Sequence, residues 1–349
     1  MKPEEESEKQ ILTSNEIVSP KINSSSFQPQ LFNDVYAEWD SFETIDAVRN
    51  ALAKYHTVTM VLADENAFEK LRNTRPDIVF NIAEGMNGIS REAQIPAILD
   101  MLNIPYTGSD PLTLATCLDK SRTKEILLYN KIRTPLFITV FDINELKDFT
   151  LNFPVIVKPV AEGSSKGIFN SSFVTGKKDL FKIVDEYLTA YKQPVLVEEY
   201  LPGREFTVAL LGNGPDTIVL PIVEINFSEL PEGTVPIYSY EAKWIFDKRE
   251  NPLDIFTCPA KVDAVLEQKI NDVALKTYKV LRCKDWSRID LRLDVNGEPN
   301  IIEVNPLPGI LPDPKDNSCF PKAARAYGMN YDDMINRVLY VSAKRHKLI

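Results

Sequence analysis

Two acids and an asparagine near the C-terminal end carry the clearest chemical pattern in the chain: Asp290, Glu303 and Asn305. They flank Asn296-Gly297, a pair that favours a two-residue type I′ turn, which would set Val295 opposite Glu298. In that register Asp290 faces Glu303, Arg288 faces Asn305, and Ile289, Leu291, Leu293, Ile302 and Val304 turn to the other, packing face. Like charges directly opposite, with Cβ atoms about 5 Å apart, repel unless something cationic lies between them. A hard divalent cation would resolve the conflict, and three oxygen donors suit Mg²⁺ completed by water and phosphate. A solvated face on which Arg288 and Arg292 neutralise the acids explains the same residues, and register alone leaves both readings open.

A second pattern follows the apolar run at 155–157. Residues 158–167 place Lys158 and Lys166 around Gly163, Ser164, Ser165 and Gly167. Glycines allow close backbone approach, hydroxyls add donors and lysines add charge, so such a loop can close over phosphates. It lacks the GxxxxGK[ST] order of a Walker loop. Alone it is no more than a flexible turn; an anion loop and an Mg²⁺ site in one chain together call for a nucleoside triphosphate.

Elements to position these groups can be read along the chain. Apolar spacing predicts a helix at 44–53, then strands at 58–62 and 77–82, a loop at 83–90, a helix after Glu92 to about Leu102 and a strand-like 104–106, which together suggest a small parallel α/β unit. A helix at 119–130 precedes strands at 155–158, 195–200 and 205–211, the last two joined through Pro202-Gly203, with a helix at 178–191 between. A helix at 262–281 and strands at 287–294 and 300–304 complete the plan. The fold class is therefore α/β (α+β): three units around a cleft, at 31–115, 116–200 and 201–349, behind a Ser, Glu, Lys and Pro-rich stretch at 1–30 that reads as a mobile arm.

With 349 residues, the chain exceeds one small domain, and its net charge of -10 argues against a general nucleic-acid binder. No apolar run is long enough to span a membrane and no secretion signal opens the chain, so a cytoplasmic protein is expected. Four dispersed cysteines read as buried reduced thiols, and two histidines leave the chemistry to carboxylates, Lys, Arg and backbone groups.

Several segments, in order, resemble the D-alanine–D-alanine ligase family of ATP-grasp carboxylate–amine ligases over roughly residues 35–340. They are 104–109 (IPYTGS), 118–120 (LDK), 155–159 (VIVKP) with 162–165 (EGSS), 195–198 (VLVE) with 205–208 (EFTV), 240–243 (YEAK), 288–290 (RID) and 303–305 (EVN) with 308–309 (PG). The resemblance implies an ATP-grasp fold and favours the metal reading. It implies that Lys120, Lys158 and Lys243 contact ATP phosphates, that Glu198 and Leu201 flank the adenine, and that Glu205 holds the ribose. It also implies two Mg²⁺ ions on Asp290, Glu303 and Asn305, and an oxyanion held by Arg288 and the Gly309 amide. Ser164 would point from the lid at the first substrate, and Ser318 would bind the carboxylate of the second. Small-molecule carboxylate and amine partners follow, and family members are commonly dimers, which makes a homodimer a candidate assembly.

Departures concentrate on the first substrate. The family's GGxSxE loop has no clear equivalent, Glu38 being the nearest candidate. Where the family has HGxxGEDG, residues 84–91 put Glu84 in place of histidine and Ile89-Ser90 in place of the acidic pair, and Trp244 replaces a tyrosine. The expected activity is an ATP-dependent ligase joining amino-acid-like substrates through an acyl phosphate, whose pair is not simply D-alanine twice. A true D-alanine–D-alanine ligase with a divergent pocket and a non-catalytic ATP-binding protein are the alternatives.

Overall fold

Residues 40–85, 87–231, 233–247 and 253–349 are described by the structure, a computed structural model. The expected arm and Glu38 lie outside them. The first unit holds α1 (Phe42–Ala53), α2 (Ala67–Thr74), α3 (Gln94–Leu102) and α4 (Pro111–Leu118). After α5 (Lys120–Tyr129) come β1 (Phe137–Val140), β2 (Val155–Pro159), β3 (Phe173–Val174), α6 (Lys177–Tyr191) and β4 (Val195–Glu199), whose strands form an antiparallel sheet in the order β1-β4-β2-β3. The third unit holds β5 (Glu205–Leu211), β6 (Ile218–Val219), β7 (Val223–Ile225), a π-helical turn (Glu241–Phe246), β8 (Phe256–Thr257), α7 (Ala264–Val280), β9 (Trp286–Leu293), β10 (Pro299–Asn305), α8 (Cys319–Ala326) and α9 (Tyr331–Arg345). Its sheet runs β10-β9-β5-β7-β8, with β6 on β5.

Strand alternation decides which side chains reach the cleft. In the four-stranded sheet Val155, Val157, Val195 and Val197 pack with Leu180, Ile183, Val184 and Tyr187 of α6. Lys158 and Glu198 therefore point to the opposite face. In the larger sheet Ile289 and Leu291 pack with Ile270, Ala274 and Tyr278 of α7, so Arg288, Asp290 and Arg292 share the other side. Asp119 caps α5 by accepting from the Ser121 and Arg122 amides, which fixes the start of the helix at Lys120.

Two expectations need correction. Residues 58–62 and 77–82 are not strands: among the described residues their one ladder contact is the parallel bridge between Val79 and Tyr106, closed by the Val79 amide to Pro105 O at 2.8 Å and the Thr107 amide to Val79 O at 2.9 Å. Apolar composition favours a strand, but without a partner ladder no sheet forms. The hairpin turn is one residue longer than two: the Asp294 amide donates to Glu298 O at 3.0 Å, and the Asp294 carboxylate accepts from the Asn296 and Glu298 amides. Gly297 then takes the left-handed conformation, φ 75°, that such a three-residue loop requires. A register shift between Ile301 and Glu303 compensates, so Asp290 still pairs with Glu303 and Arg288 with Asn305. Pro202-Gly203 joins β4 to β5 as expected, and in doing so carries the chain from one sheet to the other. A Cβ at Gly203 would lie 2.5 Å from Leu293 O, so only glycine fits this crossing.

Cys117 and Cys283 are buried, Cys258 and Cys319 half-buried, and all four are free thiols. No helix among the described residues is long and apolar enough to cross a membrane.

Candidate active site

The two opposed acids each carry a cation. Arg288 Nε and Nη2 donate to the Asp290 carboxylate at 3.0 and 2.9 Å, and Lys120 Nζ lies 2.8 Å from Glu303 Oε1. Asn305 Nδ2 donates to Asp290 Oδ2 at 3.1 Å, which joins the three expected metal residues in one cluster. Burial opposes the charge on Glu303, but Lys120 and Lys158 outweigh it and hold the carboxyl below its ordinary value. The cluster combines hard oxygen donors with cations that stand ready for phosphate, so it fits a divalent cation carried with a polyphosphate.

Lys120 and Lys158 are not snorkelling surface lysines; each is 3% exposed. Lys120 Nζ also donates to Glu162 O, at the root of the lid. Lys158 lies 2.5 Å from Glu198 Oε1, and Lys124 lies 2.7 Å from Glu198 Oε2. Burial would raise the Glu198 carboxyl, but the two lysines bring it down to about 2. Lys124 itself is lowered to about 8, by burial first. Sequence reasoning missed Lys124, and its one signal is its i,i+4 spacing from Lys120 on the same face of α5. Leu201 lies half-buried in the crossing, just before Gly203. Glu205 opens β5 opposite Arg292, and burial pushes its carboxyl up to about 7 against the pull of that guanidinium.

The lid and the π-helical turn meet across the cleft. Ser164 and Ser165 both take left-handed φ, 51° and 60°. Trp244 Nε1 donates to Ser164 O at 3.2 Å, Ser165 Oγ donates to Tyr238 O at 2.9 Å, and the Tyr240 amide donates to Ile168 O at 2.7 Å. Lys243 stands over the Trp244 ring at 5.2 Å. Burial first, then Arg288, lowers its ammonium to about 8, with Glu84 opposing. Glu84 therefore belongs to the same electrostatic neighbourhood although it comes from the first unit. Its loop is tied down by Arg91, whose guanidinium donates to Ala161 O at 2.8 Å and pairs with Glu162 at 3.1 Å. Sequence reasoning gave neither Arg91 nor Glu162 a role of its own, although both fall in segments compared with the family.

Gly309 and Ser318 come together more closely than their spacing suggests. Ser318 Oγ donates to Gly309 O at 3.1 Å and accepts from the Leu311 amide at 3.2 Å, so the hydroxyl is already engaged in closing this loop. A Cβ at Gly309 would meet nothing within 4 Å, so there is open space beside that backbone.

A family model described as D-ala D-ala ligase C-terminus matches residues 141–340. A D-alanine–D-alanine ligase of Carboxydothermus hydrogenoformans is 34% identical over 310 residues, covering 86% of this chain and 92% of that protein. The protein y4sG of Sinorhizobium fredii is 35% identical over 317 residues, covering 88% and 90%. Among solved structures, the D-alanine–D-alanine ligase from Bacillus anthracis complexed with ATP superposes with TM-score 0.67 at 24% identity over 93% of this chain and 96% of that one, a likeness of fold. VanG D-Ala:D-Ser ligase from Enterococcus faecalis gives TM-score 0.60 at 28% identity over 76% and 73%.

Proposed function

The chain belongs to the D-alanine–D-alanine ligase family of ATP-grasp enzymes, which form carbon–nitrogen bonds, and within it we propose a ligase whose first-substrate pocket is built for a pair other than D-alanine twice. The observation that carries this is a contrast: the cluster of Lys120, Lys158, Asp290, Glu303 and Asn305 is assembled as nucleotide chemistry needs, while Glu84, Trp244 and the 84–91 loop depart from the family pattern. The relative named a D-Ala:D-Ser ligase shows by its name that substrates vary within the family.

In the proposed reaction a substrate carboxylate attacks the γ-phosphate of ATP, forming an acyl phosphate and releasing ADP. An amine then attacks the acyl carbon and phosphate leaves. Lys120, Lys158 and Lys243 neutralise the phosphates, and Glu198, Leu201 and Glu205 bound the nucleoside. Asp290, Glu303 and Asn305 would hold Mg²⁺, two ions on the family pattern, and the metal would add positive charge where phosphoryl oxygens gain negative charge. The Arg288 guanidinium and the Gly309 amide would take the oxyanion of the tetrahedral intermediate. The 161–167 lid keeps water from the acyl phosphate, and its hold on Trp244 and Tyr238 supports that role. Glu84 supplies the negative charge that would pair with a first-substrate ammonium. Ser318 would reach a second-substrate carboxylate only by releasing Gly309 O.

Incubation with ATP, Mg²⁺ and paired amino acids, read by phosphate release and product mass, tests this. Phosphate release that needs both a carboxylate and an amine is expected, and D-alanyl-D-alanine as the best product would contradict the pocket assignment.

A further inference from the structure

Arg292 is the one cleft-face residue of β9 that the ligase reading does not use. It lies two residues beyond Asp290, opposite Glu205 of β5 and Asn300 of β10, and is 4% exposed. Its donors are committed to several separate stretches of chain. Nε donates to Gly203 O at 3.0 Å, Nη1 to Glu205 Oε2 at 3.1 Å and to Pro236 O at 2.9 Å, and Nη2 to the Tyr200 hydroxyl at 2.8 Å. The guanidinium also lies between two rings, 4.7 Å from the centre of Tyr200 and 5.2 Å from that of Phe227. A counter-ion on a wet surface keeps most of its donors in water and contributes little. A buried guanidinium with its fork filled fixes the geometry of whatever it holds.

What it holds is the Glu205 carboxylate, by Oε2 alone. Among the described residues nothing donates a hydrogen bond to Oε1, and the side chain keeps 13% of its surface exposed. The same fork pins Gly203 and Tyr200, the crossing that carries Leu201 between the two sheets. We propose that Arg292 is the positioning residue of the nucleoside pocket: by fixing Glu205 through one oxygen it aims the other at the ribose hydroxyls, and so sets a preference for ribonucleoside over deoxyribonucleoside triphosphate. This rests on the assignment of the ribose to Glu205. Arg292 need not touch ATP; it acts through Glu205.

Binding decides the matter without knowledge of the amino-acid substrates. ATP, 2′-deoxy-ATP and 3′-deoxy-ATP are titrated with Mg²⁺ into the full chain by calorimetry. The wild type is expected to bind at least one deoxy form about tenfold more weakly than ATP, the usual scale of a hydrogen bond to a charged acceptor. Arg292→Met should bring that ratio close to one by weakening ATP while leaving the deoxy form nearly unchanged. Arg292→Lys, which keeps the charge but not the fork, should fall between. Glu205→Gln should reproduce the collapse, and the double variant should add nothing to it. A folded Arg292→Met or Arg292→Lys that keeps the wild-type ratio would overturn the proposal and leave Arg292 a purely structural clamp, as would a wild type that binds all three nucleotides equally. A wild type that binds none of them would instead overturn the ligase reading itself.

Discussion

On the proposed assignments, the nucleotide half of the cleft and its first-substrate half are built from different materials. In the first, the charged groups other than Lys243, which shares the π-helical turn, sit on strands or on the capped helix α5 and are paired: Glu198 between Lys124 and Lys158, Glu303 with Lys120, Asp290 with Arg288, Glu205 with Arg292. In the second, Glu84 rides on a loop, Trp244 on a π-helical turn, and Ser164 on a lid held in left-handed backbone. Strand register places side chains through ladder hydrogen bonds and a packed opposite face, so a change there disturbs the core. Loops and single turns can be rewritten while the sheets stay put. That is why ATP chemistry and substrate choice can diverge separately in one chain.

Four changes would break or sharpen this contrast. Arg288→Ala should lower ligation by about 10²–10³-fold, the usual loss of an oxyanion donor, and leave Mg-ATP affinity within severalfold. Turnover measured beside nucleotide titration checks it, and an active variant would remove Arg288 from the oxyanion role. Lys124→Met should destabilise the fold by about 3–5 kcal/mol in denaturant unfolding, because Glu198 stays buried with half its compensation gone. As the exposed control for that variant, removing Arg204, whose pair with Glu224 is 42% exposed on the arginine side, should cost less than about 1 kcal/mol.

The third concerns pH. In the proposed site Lys243 grips phosphate only as an ammonium, and burial and then Arg288 lower it to about 8. Raising pH through that value strips the charge from the free protein, so KM for ATP should climb by up to about tenfold per pH unit above it. Below that value the lysine is already charged and KM should be flat, while Lys243→Arg should flatten the alkaline limb. The smallest effect is the most specific: Glu84→His with Trp244→Tyr should raise the share of D-alanyl-D-alanine in the products severalfold without changing Mg-ATP affinity.

The two halves were also unequally legible. The Asp290–Glu303 pairing follows from alternation and a turn, and it survived an error in the turn because a bulge at Ile302 absorbed the extra residue. The helices at 119–130, 178–191 and 262–281 appear as α5, α6 and α7 with ends shifted by no more than two residues, since periodicity and caps are local signals. Residues 58–62 misled because apolar composition does not say whether a partner strand exists. Lys124, Arg91 and Arg292 escaped notice as site residues because their importance lies in long-range partners: Glu198, Glu162 and Glu205 are far from them in sequence. Position in the chain carries no trace of such contacts.

The central claim is that the phosphate and metal half is intact while the first-substrate half has changed. Offering the protein an equimolar mixture of D-alanine and other amino acids with ATP and Mg²⁺, and weighing the products by mass spectrometry, tests it most directly. The account predicts amide products, formed with one ADP and one phosphate released per bond, dominated by a pair other than D-alanyl-D-alanine. A mixture in which D-alanyl-D-alanine dominates would contradict it.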